Sequence, residues 1–242
     1  MNYLEKVAIW KILIALPSSI LLAYFLLRLT GYSWTDKEFQ VSLVLVFYPI
    51  FAGGVWLALK SSGIVAGSLF GAPVERFSLT YLVFAVSSLL LFTFGSFCLV
   101  HYALSFHFPD YVSGVISEGT YVRPSESGYH WALNIGMLLA WTLLVPVVEE
   151  VVFRGILFSR WRSRIGQVPA LAFSSLAFSI LHFDLVGNFV FSLVMAAFLL
   201  RSGTFLIPVF CHALNNIIGM AIEPFLALIG KGDFRWTMEV FK

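Results

Sequence analysis

The sequence is poor in charge. Only 12% of its 242 residues are Asp, Glu, Lys or Arg, against 60% hydrophobic, whereas soluble domains carry about 25% charged and 45–50% apolar residues. That balance excludes a soluble fold. Cysteine is scarce too: Cys98 and Cys211 both lie inside apolar stretches without metal-ligand spacing. They read as small buried hydrophobes, and neither a disulfide nor cysteine chemistry is expected. Fifteen Lys and Arg against thirteen Asp and Glu leave a net charge of +2, too slight and too dispersed for a nucleic-acid footprint. No nucleic-acid partner is expected. There is no internal repeat and no low-complexity tract. The first apolar run lacks a small-residue cleavage pattern after it, so it reads as a retained anchor, with Lys11 snorkelling near its start.

What the chain has in quantity is long apolar runs. Seven candidate spans follow from hydropathy: Val7 to Leu27, Phe39 to Leu59, Ser78 to Phe106, Trp131 to Phe158, Val168 to Phe183, Gly187 to Leu200 and Phe205 to Ile229. A helix crosses the hydrocarbon with about 20 such residues. A lipid-embedded backbone must satisfy its own N–H and C=O groups, and the runs lack the alternation of barrel strands. The expected fold is all-α: a polytopic membrane helical bundle of about seven to eight transmembrane helices enclosing a polar intramembrane cavity. One integral membrane domain takes up residues 1–242, with helices of unassigned role in 1–130 and a catalytic core in 131–229. The third run is long enough to tilt or to extend past the bilayer. The fifth and sixth are short, and Glu223 with Pro224 is a candidate break in the seventh. Residues 61–77, with three Gly, three Ser and a Pro, suit an interfacial or re-entrant connection. The long polar connection is 108–129.

Basic residues orient the chain. With the N-terminus in the cytoplasm, Lys6, Lys11, Lys60, Arg76, Arg154, Arg160, Arg162, Arg164 and Arg201 fall inside, against Arg28, Lys37, Arg123, Lys231, Arg235 and Lys242 outside. The N-terminus is therefore expected to be cytoplasmic. His101, His107 and His130 read as interfacial, and Tyr129 and Trp131 as aromatic-belt residues.

Ionisable residues inside membrane spans are costly and usually face a bundle interior or a wet cavity. Here they cluster in three spans: Glu149, Glu150 and Arg154 in the fourth, Phe178 and His182 in the fifth, His212, Asn215 and Asn216 in the seventh. Glu150 and Arg154 are four apart, on one helical face with acid before base, and can neutralise each other. Glu149 lies about 100° round the helix and can point into a cavity. His212 and Asn216 share a face by the same spacing. Phe178 can wall the cavity that His182 enters. Asn215 reads as a bond to a neighbouring helix. At about 1.5 Å per residue, Glu149 lies roughly 16 Å from Arg160, His182 roughly 20 Å from Pro169, and His212 roughly 12 Å from Thr204. The depths agree within helix tilt, so a carboxylate, two imidazoles and an amide can meet in one pocket. Those are the parts for hydrolysis of an amide by water. Glu149 would take the proton of water, His212 and Asn216 would meet the oxyanion, and His182 would orient the water or carboxylate and share the proton transfer.

Glu-Glu-x-x-x-Arg, Phe-x-x-x-His and His-x-x-x-Asn, in that order on successive membrane helices, resemble the CPBP family of intramembrane endopeptidases, also called the CAAX protease, bacteriocin-processing or Abi family. Glu149, Glu150, Arg154, Phe178, His182, His212 and Asn216 match at every defining position. The resemblance covers roughly residues 131–229. It implies helices around a conical cavity, the first glutamate as general base, the second paired to the arginine, and the histidines and asparagine positioning water and stabilising the oxyanion. The substrate it implies is a membrane-associated protein or peptide: a prenylated C-terminus, a bacteriocin leader, a C-terminal sorting tail or an anti-sigma factor. The compact chain without targeting extensions suggests a prokaryotic cell (inner) membrane.

Three rival readings use the same residues. Glu149, His182 and His212 also make a two-histidine, one-glutamate zinc set, although no His-Glu-x-x-His helix is present and a glutamate base needs no cofactor. Proton-coupled transport also uses intramembrane carboxylates and histidines, but no inverted repeat of broken helices is visible. A non-catalytic immunity or scaffold protein would keep the fold without activating water.

Overall fold

The computed structural model describes residues 2–31, 36–71, 130–182 and 185–228, with isolated positions between 80 and 108. The third apolar run falls largely outside these, as do the 108–129 connection, Cys98 and His101. Among the described residues all regular structure is helical, as the need to satisfy the backbone within lipid demands.

Helices α1 (Ile9–Leu29) and α2 (Asp36–Lys60) form an antiparallel hairpin. A methyl group on Gly54 would lie 3.0 Å from Ala15 Cβ, so the two backbones approach closely at a pair of small residues. This is how helices associate in lipid, where packing rather than exclusion of water drives the contact. The outer face of α1 leaves Trp10, Leu13, Leu21, Phe25 and Leu29 exposed, a surface suited to acyl chains.

The central element, α3, spans residues 130–165 and changes pitch along its length. It is α-helical over His130–Leu139, π-helical over Ala140–Leu144, α-helical over Val145–Glu149, π-helical over Glu150–Leu157 and α-helical again over Phe158–Ile165. Thirty-five residues of it are continuous from Trp131, about 50 Å at an α-helical rise, well beyond the hydrocarbon thickness of about 30 Å. The sequence reading ended this span at Phe158. The helix runs on to Ile165 because its last turns, carrying Arg160, Arg162 and Arg164, favour helix and stand in the polar phase. Gly166, at φ +86°, then reverses the chain into α4 (Gln167–Ser179), and Trp161 meets Phe173 across the turn at 6.2 Å. Helices α5 (Leu185–Ser202) and α6 (Leu206–Leu228) complete the bundle. The candidate break at Glu223–Pro224 is absent: α6 continues through both residues, as transmembrane helices can around proline. Ile9–Leu29, Lys37–Lys60, Trp131–Ile165 and Leu185–Ser202 are each long and apolar enough to cross a bilayer, and Leu206–Ala221 is a shorter apolar stretch. The protein is an integral membrane helical bundle.

One end of the bundle is closed by short segments. A 3-10 helix, Asn2–Lys6, lies against α3, where Arg160 Nη1 donates to the Glu5 carbonyl at 2.6 Å. Lys11 Nζ donates to Ser61 Oγ at 2.6 Å, joining the start of α1 to the end of α2. A second 3-10 helix, Ala66–Phe70, docks on the α5–α6 turn through Phe205 N–H to the Leu69 carbonyl (3.4 Å), and Thr204 Oγ1 donates to the Gly71 carbonyl (3.2 Å). Gly155 is the hub of this closure, since an added Cβ would meet Phe205 Cζ at 3.2 Å and Leu4 Cδ1 at 3.3 Å. Both neighbours are fully buried. Gly155→Val is therefore expected to lose about 1–3 kcal/mol through overpacking, measured as a lower unfolding midpoint in detergent.

Candidate active site

One π-helical segment precedes the two glutamates and a second begins at Glu150. Such widened turns, with i→i+5 bonding, recur at functional sites, and here they shape what each side chain meets. The upper one shows the pattern in Val145 N–H bonded to the Ala140 carbonyl. The next rung would join residue 146 to the Trp141 carbonyl, but residue 146 is proline and has no N–H. Asn216 of α6 takes the place of that donor, giving Nδ2–H to the Trp141 carbonyl at 2.9 Å. A proline in one helix thus fixes an asparagine from another.

Glu150 and Arg154 form the expected ion pair, Oε1 to Nη1 at 3.2 Å, with both side chains essentially inaccessible. The pair has a third member that spacing did not reveal: His212 Nδ1 lies 2.8 Å from the same Glu150 oxygen. The guanidinium is also met by aromatic faces, its Cζ standing 4.2 Å from the Phe178 ring centroid and 6.0 Å from that of Phe191. A buried cation over a ring gains from the ring quadrupole. Phe178 does more than wall a cavity, because it stacks on His182 with centroids 4.3 Å apart and meets His212 edge-on at 6.1 Å.

Glu149 is buried beside this cluster. Its Oε2 lies 3.7 Å from His212 Nε2 and 4.0 Å from His182 Nε2 and has no hydrogen-bond partner among the described residues. Each imidazole is held by its other nitrogen. His182 Nδ1 faces the Phe178 carbonyl at 2.8 Å and His212 Nδ1 faces the Glu150 carboxylate. The Phe178 carbonyl has no proton to give, so Nδ1 is the protonated nitrogen of His182, and in both rings Nε2 is the atom turned to Glu149. The side chain of His182 is 30% exposed and that of His212 5%; the open side of the site is therefore at the end of α4.

The structure brings together Glu149, Glu150, Arg154, Phe178, His182 and His212. Asn216 is tied to the backbone of α3 at Trp141, eight residues before Glu149. Sequence reasoning missed Tyr48 of α2, whose hydroxyl donates to Glu149 Oε1 at 2.5 Å. The available signal was its depth: it sits midway along a span, whereas membrane tyrosines concentrate at the interfaces. It also missed Phe191 of α5, edge-on to His212 at 4.9 Å, which no motif marks. His107 is exposed, as an interfacial residue should be. Among the described residues no three His, Cys, Asp or Glu side chains are grouped as metal ligands.

The site is thus a buried carboxylate flanked by two oriented imidazoles within membrane helices. Residues 131–218 match the family model described as type II CAAX prenyl endopeptidase Rce1-like. The match bears out the resemblance to the CPBP, or CAAX protease, family carried by the three motifs. No curated protein and no solved structure matches the chain.

Proposed function

We propose that the protein is an intramembrane endopeptidase in which Glu149 activates water to cleave a membrane-associated protein or peptide. The observation that carries this reading is Glu149 Oε2, buried, without a hydrogen-bond partner among the described residues, and facing both Nε2 atoms at 3.7 and 4.0 Å. Polar separations of that size suit a bridging water. Glu149 takes one proton as the water oxygen attacks the scissile carbonyl carbon, and the carbonyl oxygen becomes an oxyanion. The second N–H of Asn216 stabilises it, joined by Nε2–H of His212 when both of its ring nitrogens carry protons. The C–N bond then breaks as Glu149 returns its proton to the departing nitrogen, with His182 holding water and carboxylate in line. Glu150 and Arg154 support the site by fixing His212.

The matched family is described by prenyl substrates, so a prenylated C-terminus is the first substrate to try, with other lipidated or sorting tails as alternatives. The bundle end that gathers Lys6, Lys11, Lys60 and Arg160–Arg164 fits the cytoplasmic side under the positive-inside preference, which would put the N-terminus inside a prokaryotic cell membrane. Mass spectrometry of peptides from membranes carrying the native protein, against membranes carrying Glu149→Gln, tests the reading. Cleavage products common to both preparations would remove it and leave the transport or scaffold roles.

The reaction is proposed to run without a metal, since a carboxylate base needs no Lewis acid. Protein stripped by chelator should then retain its cleavage rate. Loss of activity that returns only with added zinc would install the zinc reading, with Glu149, His182 and His212 as its ligands.

A further inference from the structure

We infer that Tyr48 is a positioning residue that decides which oxygen of Glu149 acts as the base. This inference rests on the proposed role of Glu149. Tyr48 belongs to α2 and lies outside both the three motifs and residues 131–218. Its hydroxyl donates to Oε1 at 2.5 Å, the short distance typical of a hydrogen bond to an ionised carboxylate. Oε2 is left for the reaction, turned to His182 and His212.

The physical need is specific. A carboxylate at the end of a glutamate side chain has free rotation about its last bond, and its broad two-fold torsion does not itself fix an oxygen. Water in an aqueous site could hold the second oxygen, but membrane depth makes a protein donor the dependable choice. Tyr48 supplies that donor from a neighbouring helix on a side chain with few rotatable bonds. Its ring is set edge-on to Phe47 at 4.9 Å, while Pro49 follows it in the chain. The hydroxyl thus orients the carboxylate without touching the reacting atoms. Removing it frees the group to rotate, and the productive geometry becomes one of several.

Tyr48→Phe isolates the hydroxyl while keeping the ring. The assay uses a peptide identified as a cleavage product in native membranes, resynthesised across its cut site with a fluorophore and quencher. A hydrogen bond to a charged group implies a kcat lower by about 10- to 100-fold, with KM changed by less than about threefold. A purely structural role would lower the unfolding midpoint and leave the kcat of folded enzyme untouched. Tyr48→4-aminophenylalanine, which restores a donor at the para position, should recover most of the lost kcat. Native kcat in Tyr48→Phe while Glu149→Gln is inert would overturn the inference and leave the base assignment standing. Failure of the amino analogue to restore a lost kcat would overturn it equally. Full activity in Glu149→Gln would instead overturn the base assignment, and the role of Tyr48 with it.

Discussion

Glutamine at position 149 should lower peptide cleavage by roughly 10²- to 10⁴-fold, the usual contribution of a positioned general base, while the protein still inserts and folds. The substitution is nearly isosteric. It keeps an oxygen that can accept from Tyr48, so packing around residue 149 changes little. What it removes is the proton-accepting oxygen beside the two Nε2 atoms. The loss should therefore fall on kcat and on kcat/KM alike, as expected when an interaction in the transition state is removed. Unfolding in detergent should be close to native. A variant that cleaves at the native rate would exclude Glu149 as base whatever the rest of the site looks like.

Arg154→Met is expected to destabilise the bundle by about 3–5 kcal/mol, because it strands the buried Glu150 carboxylate without its cation. Glu150 is inaccessible, and its Oε2 has no hydrogen-bond partner among the described residues. After the substitution only the His212 imidazole remains beside Oε1. The double variant Glu150→Gln with Arg154→Met removes both charges and should recover much of the loss, since a buried pair replaced as a pair is often near neutral. Equilibrium unfolding in mixed micelles measures both. Equal destabilisation in the single and double variants would show that Arg154 acts through its packing on Phe178 and Phe191 rather than through charge.

The parts of this site written in local spacing were legible in the sequence. Glu150 and Arg154 are four residues apart and pair, and Phe178 and His182 are four apart and stack. Depth along each span was legible too, which is why His182 and His212 could be expected at the level of Glu149. Span ends were less so: hydropathy stops at Phe158, whereas an arginine-rich helix can continue into water as far as Ile165. Contacts that depend on how helices rotate against one another were hidden. The join between His212 and Glu150 and the bond from Tyr48 to Glu149 cross 62 and 101 residues of chain, and no periodicity encodes them. The π-helical turns were hidden for a related reason, since the widened pitch is set by packing and only Pro146 hints at a missing rung.

The bond from Asn216 to the Trp141 carbonyl does more than hold an amide in place. The bond joins a side chain of one helix to the backbone of another, so α6 cannot slide along α3 by even one residue without breaking it. The clasp acts as a detent between two otherwise greasy rods, and it keeps His212, one turn along α6, level with the carboxylate it serves.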